Sequence, residues 1–376
     1  MSEQVEQLTL WGEIYPRFHI DKKLRIIELF AGIGSQIAAC NVLFNNDSSK
    51  YEHWKICEWA YHSYCAYNSL HIKDFTNYSE GKTKEEMIER IRGISMNYNE
   101  PLSDEQLSKK PLKWVQNAYN NCVANHNLIN IMNVHAQDLE IHDNSQHEYI
   151  VTYSYPCQDL SLAGKRAGMA VSQADGGTRS GLLWEVERII QECHDMGYEH
   201  MPNILIMENV PQVHSEKDLP HFQKWIQRLF ELGYTSEFVD LNATDYGIPQ
   251  NRERCFMVSI LNTKEGQEHI YRFPMSIPRK ISLKDFLEEK VDERYYLSQA
   301  MIEYLTGINQ VESKYNRTEV FMRNLDPTKE VACTITTAAG QRATDNFIVE
   351  GDISKIDYIP IRNATKKGYL EAHDGD

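Results

Sequence analysis

No apolar run in this chain of 376 residues reaches the roughly 20 that a membrane helix needs, so a spanning helix is not expected. Cysteine is sparse: the eight are scattered without one Cys-x-x-Cys pair. That spacing argues against a zinc ribbon or a disulfide framework, and for a reducing cytoplasm. The first ten residues carry Glu3 and Glu6 and no basic residue, so they do not read as a secretory leader. Internal repeats and low-complexity tracts are absent. Positive charge is also short, with 39 Lys and Arg against 54 Asp and Glu and a net of −15. The deficit is local: residues 1–249 hold 21 Lys and Arg against 34 Asp and Glu, and residues 250–376 hold 18 against 20. Such a balance disfavours loose association with polyanions but leaves room for a local basic groove.

The rest of the composition, 41% hydrophobic and 25% charged, is that of a globular protein and excludes disorder as the main state. The length exceeds one ordinary core and fits two domains. Residues 1–24 are polar and aromatic without a period and read as an N-terminal arm. From Arg25 an apolar strand (25–30), a glycine turn (31–34), a helix with Ile37, Cys40 and Phe44 on one face (35–44) and a second strand (55–58) follow in order, the pattern of a parallel βαβ unit. A helix is expected over 60–70. Residues 73–127, rich in Lys, Glu, Asn and Ser, read as a solvated helical insertion, with helices over 84–94 and 111–123. Alternation then resumes with strands at 149–153 and 203–207, helices at 181–192 and 219–232, and closing strands at 236–242 and 254–261, which suit antiparallel pairing. The expectation is a doubly wound α/β domain over 25–262. Residues 263–376 lose the alternation and read as a second, smaller domain, mostly β or irregular, with β-prone pieces at 332–337 and 346–349.

Four segments carry chemistry. The first is Phe30-Ala-Gly32-Ile-Gly34, where a strand meets a helix. Glycines there let the backbone approach a ligand at the positive end of a helix. It lacks the third glycine of a dinucleotide fingerprint. Glu58 closes the next strand, where an acid can take both hydroxyls of a ribose, and Asp138 can face an adenine amino group after a third strand. Each acid alone reads more readily as a surface carboxylate; the ordered set points to an adenosyl cofactor. The second segment is Pro156-Cys157-Gln158, beyond a strand end and ahead of a polar loop, 159–180, with four glycines, the composition of a lid. The third is Glu208-Asn209-Val210, directly after a buried strand, where a carboxyl group can act as an acid. The fourth is Gln250-Asn-Arg252-Glu-Arg254: on an extended chain two arginines two apart point the same way and can hold a carbonyl oxygen or phosphates.

Taken together, Glu28-Leu-Phe-Ala-Gly-Ile-Gly34, Glu58-Trp59, Asp138, Pro156-Cys157-Gln158, the stretch Gly177-Thr-Arg-Ser-Gly-Leu-Leu183, Glu208-Asn209-Val210 and Gln250-Asn-Arg-Glu-Arg254 resemble the C5-cytosine DNA methyltransferases of bacterial or phage type. The resemblance is dense over 25–262, outside the 73–127 insertion. It implies a Rossmann-like S-adenosylmethionine-dependent domain, a target-recognition domain over 263–376, a cytoplasmic location and no metal. By resemblance Cys157 is the nucleophile that adds to C6 of a flipped-out cytosine. Glu208 holds or protonates N3, Arg254 contacts O2, and Arg252 supports the site electrostatically. S-adenosylmethionine lies along Phe30, Gly32, Gly34, Glu58, Trp59, Asp138 and Leu139, with Pro156 near its methyl end. Gln158, Ser161, Arg179 and Gln250 are the expected contacts to double-stranded DNA, and Arg323, Arg342 and Lys366-Lys367 are further candidates. Val331–Thr337 resembles a Thr-rich segment of the family.

The departure is a Gly-Asn-[Ser/Ala]-Val segment, usual at the family's C-terminus and not found here. It leaves open a truncated chain, one half of a split enzyme completed by a partner chain, or a pocket closed differently. A cognate restriction endonuclease is the other expected partner. The rival readings are a transfer-RNA cytosine-C5 methyltransferase, a catalytically incomplete DNA-binding fragment, and a nicotinamide enzyme on the same glycine turn.

Overall fold

The computed structural model describes residues 20–155, 182–292, 296 and 330–334, and the backbone of two further strands, 359–362 and 369–372. The N-terminal arm to residue 19, the Pro156-Cys157-Gln158 segment with its following loop, most of 293–358, and residues 363–368 and 373–376 lie outside the described residues, Arg323, Arg342 and Lys366-Lys367 among them.

Strand β1 (Leu24–Leu29) is buried along nearly its whole length, as a central parallel strand covered on both faces must be. It is followed by α1 (Ser35–Leu43), β2 (Tyr51–Cys57) and α2 (Tyr61–Tyr67), which runs into one wide π turn at Asn68–Ile72. Three short helices come next: α3 (Lys84–Arg90), α4 (Asp104–Ser108) and α5 (Leu112–Ala124). Thr83 with Glu86, and Ser103 with Gln106, form reciprocal capping boxes that start α3 and α4. The chain continues through β3 (Glu148–Tyr153), α6 (Leu183–Met196), β4 (Ile204–Asn209), α7 (Leu219–Glu231), β5 (Tyr234–Asn242) and β6 (Glu253–Leu261).

These strands form one sheet in the order β2-β1-β3-β4-β6-β5. β1 pairs in parallel with β2 and β3, β3 in parallel with β4, and β6 runs antiparallel to β4. The doubly wound α/β architecture and its antiparallel closing strand are those expected from the sequence. Helices cover both faces. On one, Val186, Ile189 and Ile190 of α6 and Phe222, Trp225 and Leu229 of α7 pack on Ile27, Leu29 and Val151. The buried positions of α7 recur at three- and four-residue spacing, so one helix stripe meets the sheet. Trp225 Nε1 donates to the Tyr153 hydroxyl at 3.1 Å inside this layer.

The opposite face corrects the sequence reading of residues 73–127. They are not a solvated insertion. Met87 of α3, Leu107 of α4, and Val115, Ala118 and Cys122 of α5 are fully buried in the cluster that holds Ile26 and Ile56 of the sheet and Tyr64 and Tyr67 of α2. Most of the charged residues between them are exposed, while Ser79, Ser95, Asn125 and Asn127 are buried with them, so the mean polarity of the stretch conceals its apolar packing positions.

The chain divides into two compact units, Met1–Asp240 with Arg254–Phe273, and Leu241–Glu253 with Pro274–Asp376. In the second, Gln250 bridges to Ala332 in parallel and Tyr246 to Ile277, while Arg279 pairs with Glu330 at 2.7 Å. An antiparallel hairpin of β7 (Ile359–Arg362) and β8 (Tyr369–Ala372) belongs to it. Among the described residues no helix is long and apolar enough to cross a membrane.

The packing of α4 gives a direct test. Leu107→Ala should destabilise the protein by about 2–5 kcal/mol through the cavity it leaves, read as a lower urea midpoint at unchanged slope. A change within about 0.5 kcal/mol, the usual size for a surface site, would return 73–127 to the solvent.

Candidate active site

The sheet register fixes the site. Leu29 stands opposite Cys57 and Tyr153, Tyr153 opposite Met207, and Met207 opposite Met257. The residues that follow this row, Phe30, Glu58 and Glu208, therefore emerge at one edge of the sheet. β6 runs the other way, so its beginning, with Arg254, reaches the same edge. Carboxyl strand ends at a change of winding direction are where open α/β sheets keep their ligands.

At the end of β1 the chain turns through Phe30, whose φ of 59° is left-handed, and Gly32 and Gly34, with φ of 56° and 87°. The two glycines differ in purpose. A Cβ on Gly32 would meet nothing within 4 Å, whereas one on Gly34 would lie 2.7 Å from the rings of His71 and Tyr67. Gly32 leaves open space and Gly34 is a packing glycine. Glu58 locks this turn: its Oε2 accepts from the Gly32 N–H at 2.8 Å and its Oε1 from the Ala60 N–H at 2.7 Å. Burial pushes the Glu58 carboxyl up to about 7, against the pull of those N–H donors.

Phe30, Glu58 and Trp59 open onto a cavity of about 410 Å³, together with Tyr98, Asn99, Glu100 and Pro101 from the chain between α3 and α4, Ile129–Met132, and Leu182. Its size suits a small-molecule ligand. Among the described residues its lining holds two carboxyl groups and no Lys, Arg or His, a composition that fits a cationic ligand and opposes a pyrophosphate, which open α/β folds hold with donors and cations. The nicotinamide reading is thus disfavoured by chemistry as well as by the missing glycine.

On the other half of the edge, Glu208 lies on β4 itself, which runs two positions further than the sequence reading ended it. Its Oε1 is 3.1 Å from Arg254 Nε, with both side chains about one-fifth exposed. Asn209, buried, donates from its side-chain amide to the Tyr155 carbonyl at 3.2 Å. The amide thus ties the end of β4 to the residue from which the Pro156-Cys157 segment departs. Arg252 belongs to the smaller unit; its N–H donates to Asn242 Oδ1 at 3.1 Å. Gln250 is there too. Pro156, Cys157, Gln158, Ser161 and Arg179 lie outside the described residues.

Two expected cofactor residues sit differently. Asp138 follows no strand: between β2 and β3 the described chain forms helices and turns, and Asp138 lies in a 3-10 turn, Ala136–Leu139, where its carboxylate accepts from the His135 N–H at 2.8 Å. Leu139 is fully buried, and its carbonyl accepts from Trp54 Nε1 at 2.9 Å. Neither lines the cavity, nor do Gly32 and Gly34. Residues 98–101 were not anticipated; only the tight Asn-Tyr-Asn-Glu-Pro spelling marks them as a turn. A neighbouring trio, His214, Asp240 and Cys255, has ligand-type atoms within 4.8 Å of one another. His214 and Asp240 bond each other at 2.9 Å, and burial pushes the Cys255 thiol up to about 12, so the trio reads as a hydrogen-bonded support under β6.

The model of the C-5 cytosine-specific DNA methylase family matches residues 85–370. Over 302 residues the chain is 32% identical to the orphan methyltransferase M.SssI of Spiroplasma monobiae, covering 79% of this chain and 73% of that protein. It is 33% identical over 276 residues to the type II methyltransferase M2.ScrFI of Lactococcus lactis subsp. cremoris, covering 73% of this chain and 70% of the relative. Among solved structures, a triple mutant of Spodoptera frugiperda DNMT2 superposes with a TM-score of 0.50 at 16% identity, covering 88% of this chain and 76% of that one. At that identity the likeness is one of fold.

Beneath the glycine turn lies a buried acid that no expectation used. Glu28 is 1% exposed; its Oε1 accepts from the Ile37 N–H at 3.3 Å, and its Oε2 meets the Tyr67 hydroxyl. Tyr67 also meets His53 Nδ1 at 3.1 Å, and His53 Nε2 lies 2.7 Å from the Asn125 carbonyl. A carbonyl only accepts, so Nε2 carries the hydrogen. Burial lowers His53 to about 4, which leaves Nδ1 an acceptor at neutral pH. One tyrosine proton cannot serve both Glu28 and Nδ1; a protonated Glu28 satisfies all three groups by donating to Tyr67, which donates to His53. Burial accordingly pushes Glu28 up to about 7. Cys40 faces it from α1, and His71, His126 and Lys55 face His53.

A carboxyl raised from 4.5 to about 7 stabilises the fold fully below pH 4.5, and that contribution is lost as pH rises through 7. The loss is at most about 3 kcal/mol. The thermal midpoint of the unliganded protein should fall between pH 5 and 8, and Glu28→Gln, neutral throughout, should flatten that fall. Parallel curves for parent and variant would contradict the assignment; Glu58 acts in the same direction in both.

Proposed function

Because the chain belongs to the C-5 cytosine-specific DNA methylase family, as a DNA cytosine-5 methyltransferase with S-adenosyl-L-methionine as its methyl donor, we propose that it flips a cytosine out of a specific double-stranded DNA sequence and methylates it through a covalent bond from Cys157 to C6. The observation that carries the reading is the contact of Glu208 with Arg254 at 3.1 Å, at the same sheet edge as the cavity of Phe30, Glu58 and Trp59.

C5 of cytosine is a poor nucleophile. When the Cys157 thiolate forms a bond to C6, the C5=C6 π pair shifts to C4–C5 and the C4=N3 π pair onto N3, where a proton held by Glu208 takes up the charge. Arg254 donates to O2 and steadies the same charge, with Arg252 as an electrostatic support. When bound, S-adenosyl-L-methionine supplies an electrophilic methyl group on a sulfonium. Glu58 is suited to take the hydroxyls of its ribose, and Phe30 and Trp59 the faces of its adenine. Afterwards the C5 proton leaves to a base and the bond from C6 to the Cys157 sulfur breaks, restoring the thiolate. Asn209 donates to the Tyr155 carbonyl, two residues ahead of Cys157 in the chain.

Gln158, Ser161, Arg179 and Gln250 are assigned to the DNA, and residues 263–376 to target recognition, where side chains read base edges and phosphates fix register. Asp138 and Leu139 stay in the cofactor reading as second-line candidates, with Pro156. A cognate restriction endonuclease is the protein partner that the reading admits; one relative's type II name favours it and the other's orphan name does not.

The test uses donor with a labelled methyl group and unmethylated DNA of mixed sequence. The parent should fix label at C5 of cytosine. Cys157→Ser should lose transfer altogether, Glu208→Gln should slow it by about 10²–10⁴, and Arg254→Ala by about 10²–10³. Label fixed equally by Cys157→Ser would remove the covalent mechanism. Label appearing on transfer RNA and not on DNA would replace the substrate.

A further inference from the structure

We propose that residues 98–101 are a wall of the S-adenosylmethionine pocket, in which the Tyr98 ring packs on the bound adenosyl group and the Glu100 carboxylate favours the cationic sulfonium over the neutral sulfide product. The inference rests on the cofactor reading of that cavity.

The segment is sewn to the residues next to Glu58. Ser95, fully buried, bridges to Ala60 in parallel: its N–H donates to the Trp59 carbonyl at 2.7 Å, and its carbonyl accepts from the Tyr61 N–H at 2.9 Å. Ser95 also bridges antiparallel to Pro101, and the Leu102 N–H donates to the Ile94 carbonyl at 2.7 Å. Residues 96–100 are therefore the tip of a tight hairpin hung directly on the strand end that carries Glu58. Its position over the cavity follows from backbone pairing, not from a loose loop.

Tyr98 is held in an unusual state. Its φ is 62°, a left-handed conformation that a bulky side chain rarely adopts and that persists only where the surroundings over-determine it. Two bonds do so: the Ser95 hydroxyl oxygen accepts from the Tyr98 N–H at 3.1 Å, and the Tyr98 hydroxyl meets Ser63 Oγ at 2.6 Å. The side chain is nevertheless 51% exposed, so the strain does not serve core packing. It holds an aromatic ring at the lining of a cavity that Phe30 and Trp59 also line. Three aromatic residues from three separate segments surround one space, the arrangement that a flat heterocycle fills best.

Glu100 completes the chemistry. Among the described residues, Glu58 and Glu100 are the ionisable carboxyl groups of the cavity lining. Glu58 is buried with both carboxylate oxygens held by backbone N–H groups, whereas Glu100 is exposed at the rim. Methyl transfer turns a sulfonium into a neutral sulfide. A carboxylate at the rim therefore attracts the donor more than the spent product and favours exchange of one for the other.

Calorimetric titration of the full chain with S-adenosylmethionine and with S-adenosylhomocysteine tests this. Tyr98→Ala should weaken both by about three- to tenfold, the worth of one aromatic contact, and Tyr98→Phe, which keeps the ring, should stay near the parent. Glu100→Gln should weaken S-adenosylmethionine by about two- to fivefold and leave S-adenosylhomocysteine unchanged. Unchanged affinities in Tyr98→Ala and Glu100→Gln would overturn the proposal. So would losses matched by a fall in the unliganded thermal midpoint, which would make the hairpin merely structural. If the parent binds neither ligand, the cofactor reading itself falls, and this inference with it.

Discussion

Cys57, Leu29, Tyr153, Met207 and Met257 form one row across five adjacent strands. Side chains alternate faces along a strand, so slipping any of these strands by one residue would exchange the sets that face the two apolar layers. The row is thus specified by the two apolar layers packed on it, and it specifies in turn which residues leave the sheet together. Phe30, Glu58 and Glu208 come directly after the row, and Arg254 arrives from the antiparallel strand. Chemistry at this edge is thus a consequence of packing in the layers on either face of the sheet.

The same edge concentrates unfavourable burial. Glu28 and Glu58 are nearly inaccessible carboxyls, both pushed up to about 7. Each is held by backbone N–H groups of the turn or helix that follows β1. Removing a carboxylate from water costs several kcal/mol unless donors replace the water. Glu58 has two such donors, and ribose hydroxyls would add more. Ligand binding and the stability of the turn are then linked: whatever donates to Glu58 binds the folded state alone and raises its stability.

Much of this was legible in the chain. The strand–glycine–helix opening, the acid after the second strand, and Glu208 ahead of Asn209 follow from periodicity and from where open sheets place ligands. What was not legible has physical causes. A sequence does not distinguish a glycine that admits a ligand from one that admits a tyrosine ring, which is why Gly32 and Gly34 read alike and differ in the fold. Asp138 was placed by its order after Glu58, and order does not require the strand that was assumed. The stretch 73–127 was judged by mean polarity, although Met87, Leu107, Val115 and Cys122 carry its packing at helical spacing. Residues 98–101 owe their place to the pairing of Ser95 with Ala60, a contact across 35 residues that local pattern does not encode.

The charge distribution bears on how such a protein selects DNA. An excess of 13 negative charges over residues 1–249 repels a polyanion at long range, and at physiological salt that repulsion is screened beyond about 8 Å. A protein of this kind has little of the counterion-release term that makes basic proteins bind any duplex. Under the proposed function, affinity comes from groups within contact distance, base edges and a flipped nucleotide among them, and those contacts exist only at the right sequence. Weak attraction to wrong sites raises the specificity ratio without improving any single contact, and that ratio governs occupancy in a genome. The nearly balanced residues 250–376, 18 basic against 20 acidic, carry the least of this long-range repulsion, which accords with the proposal that target recognition belongs to them.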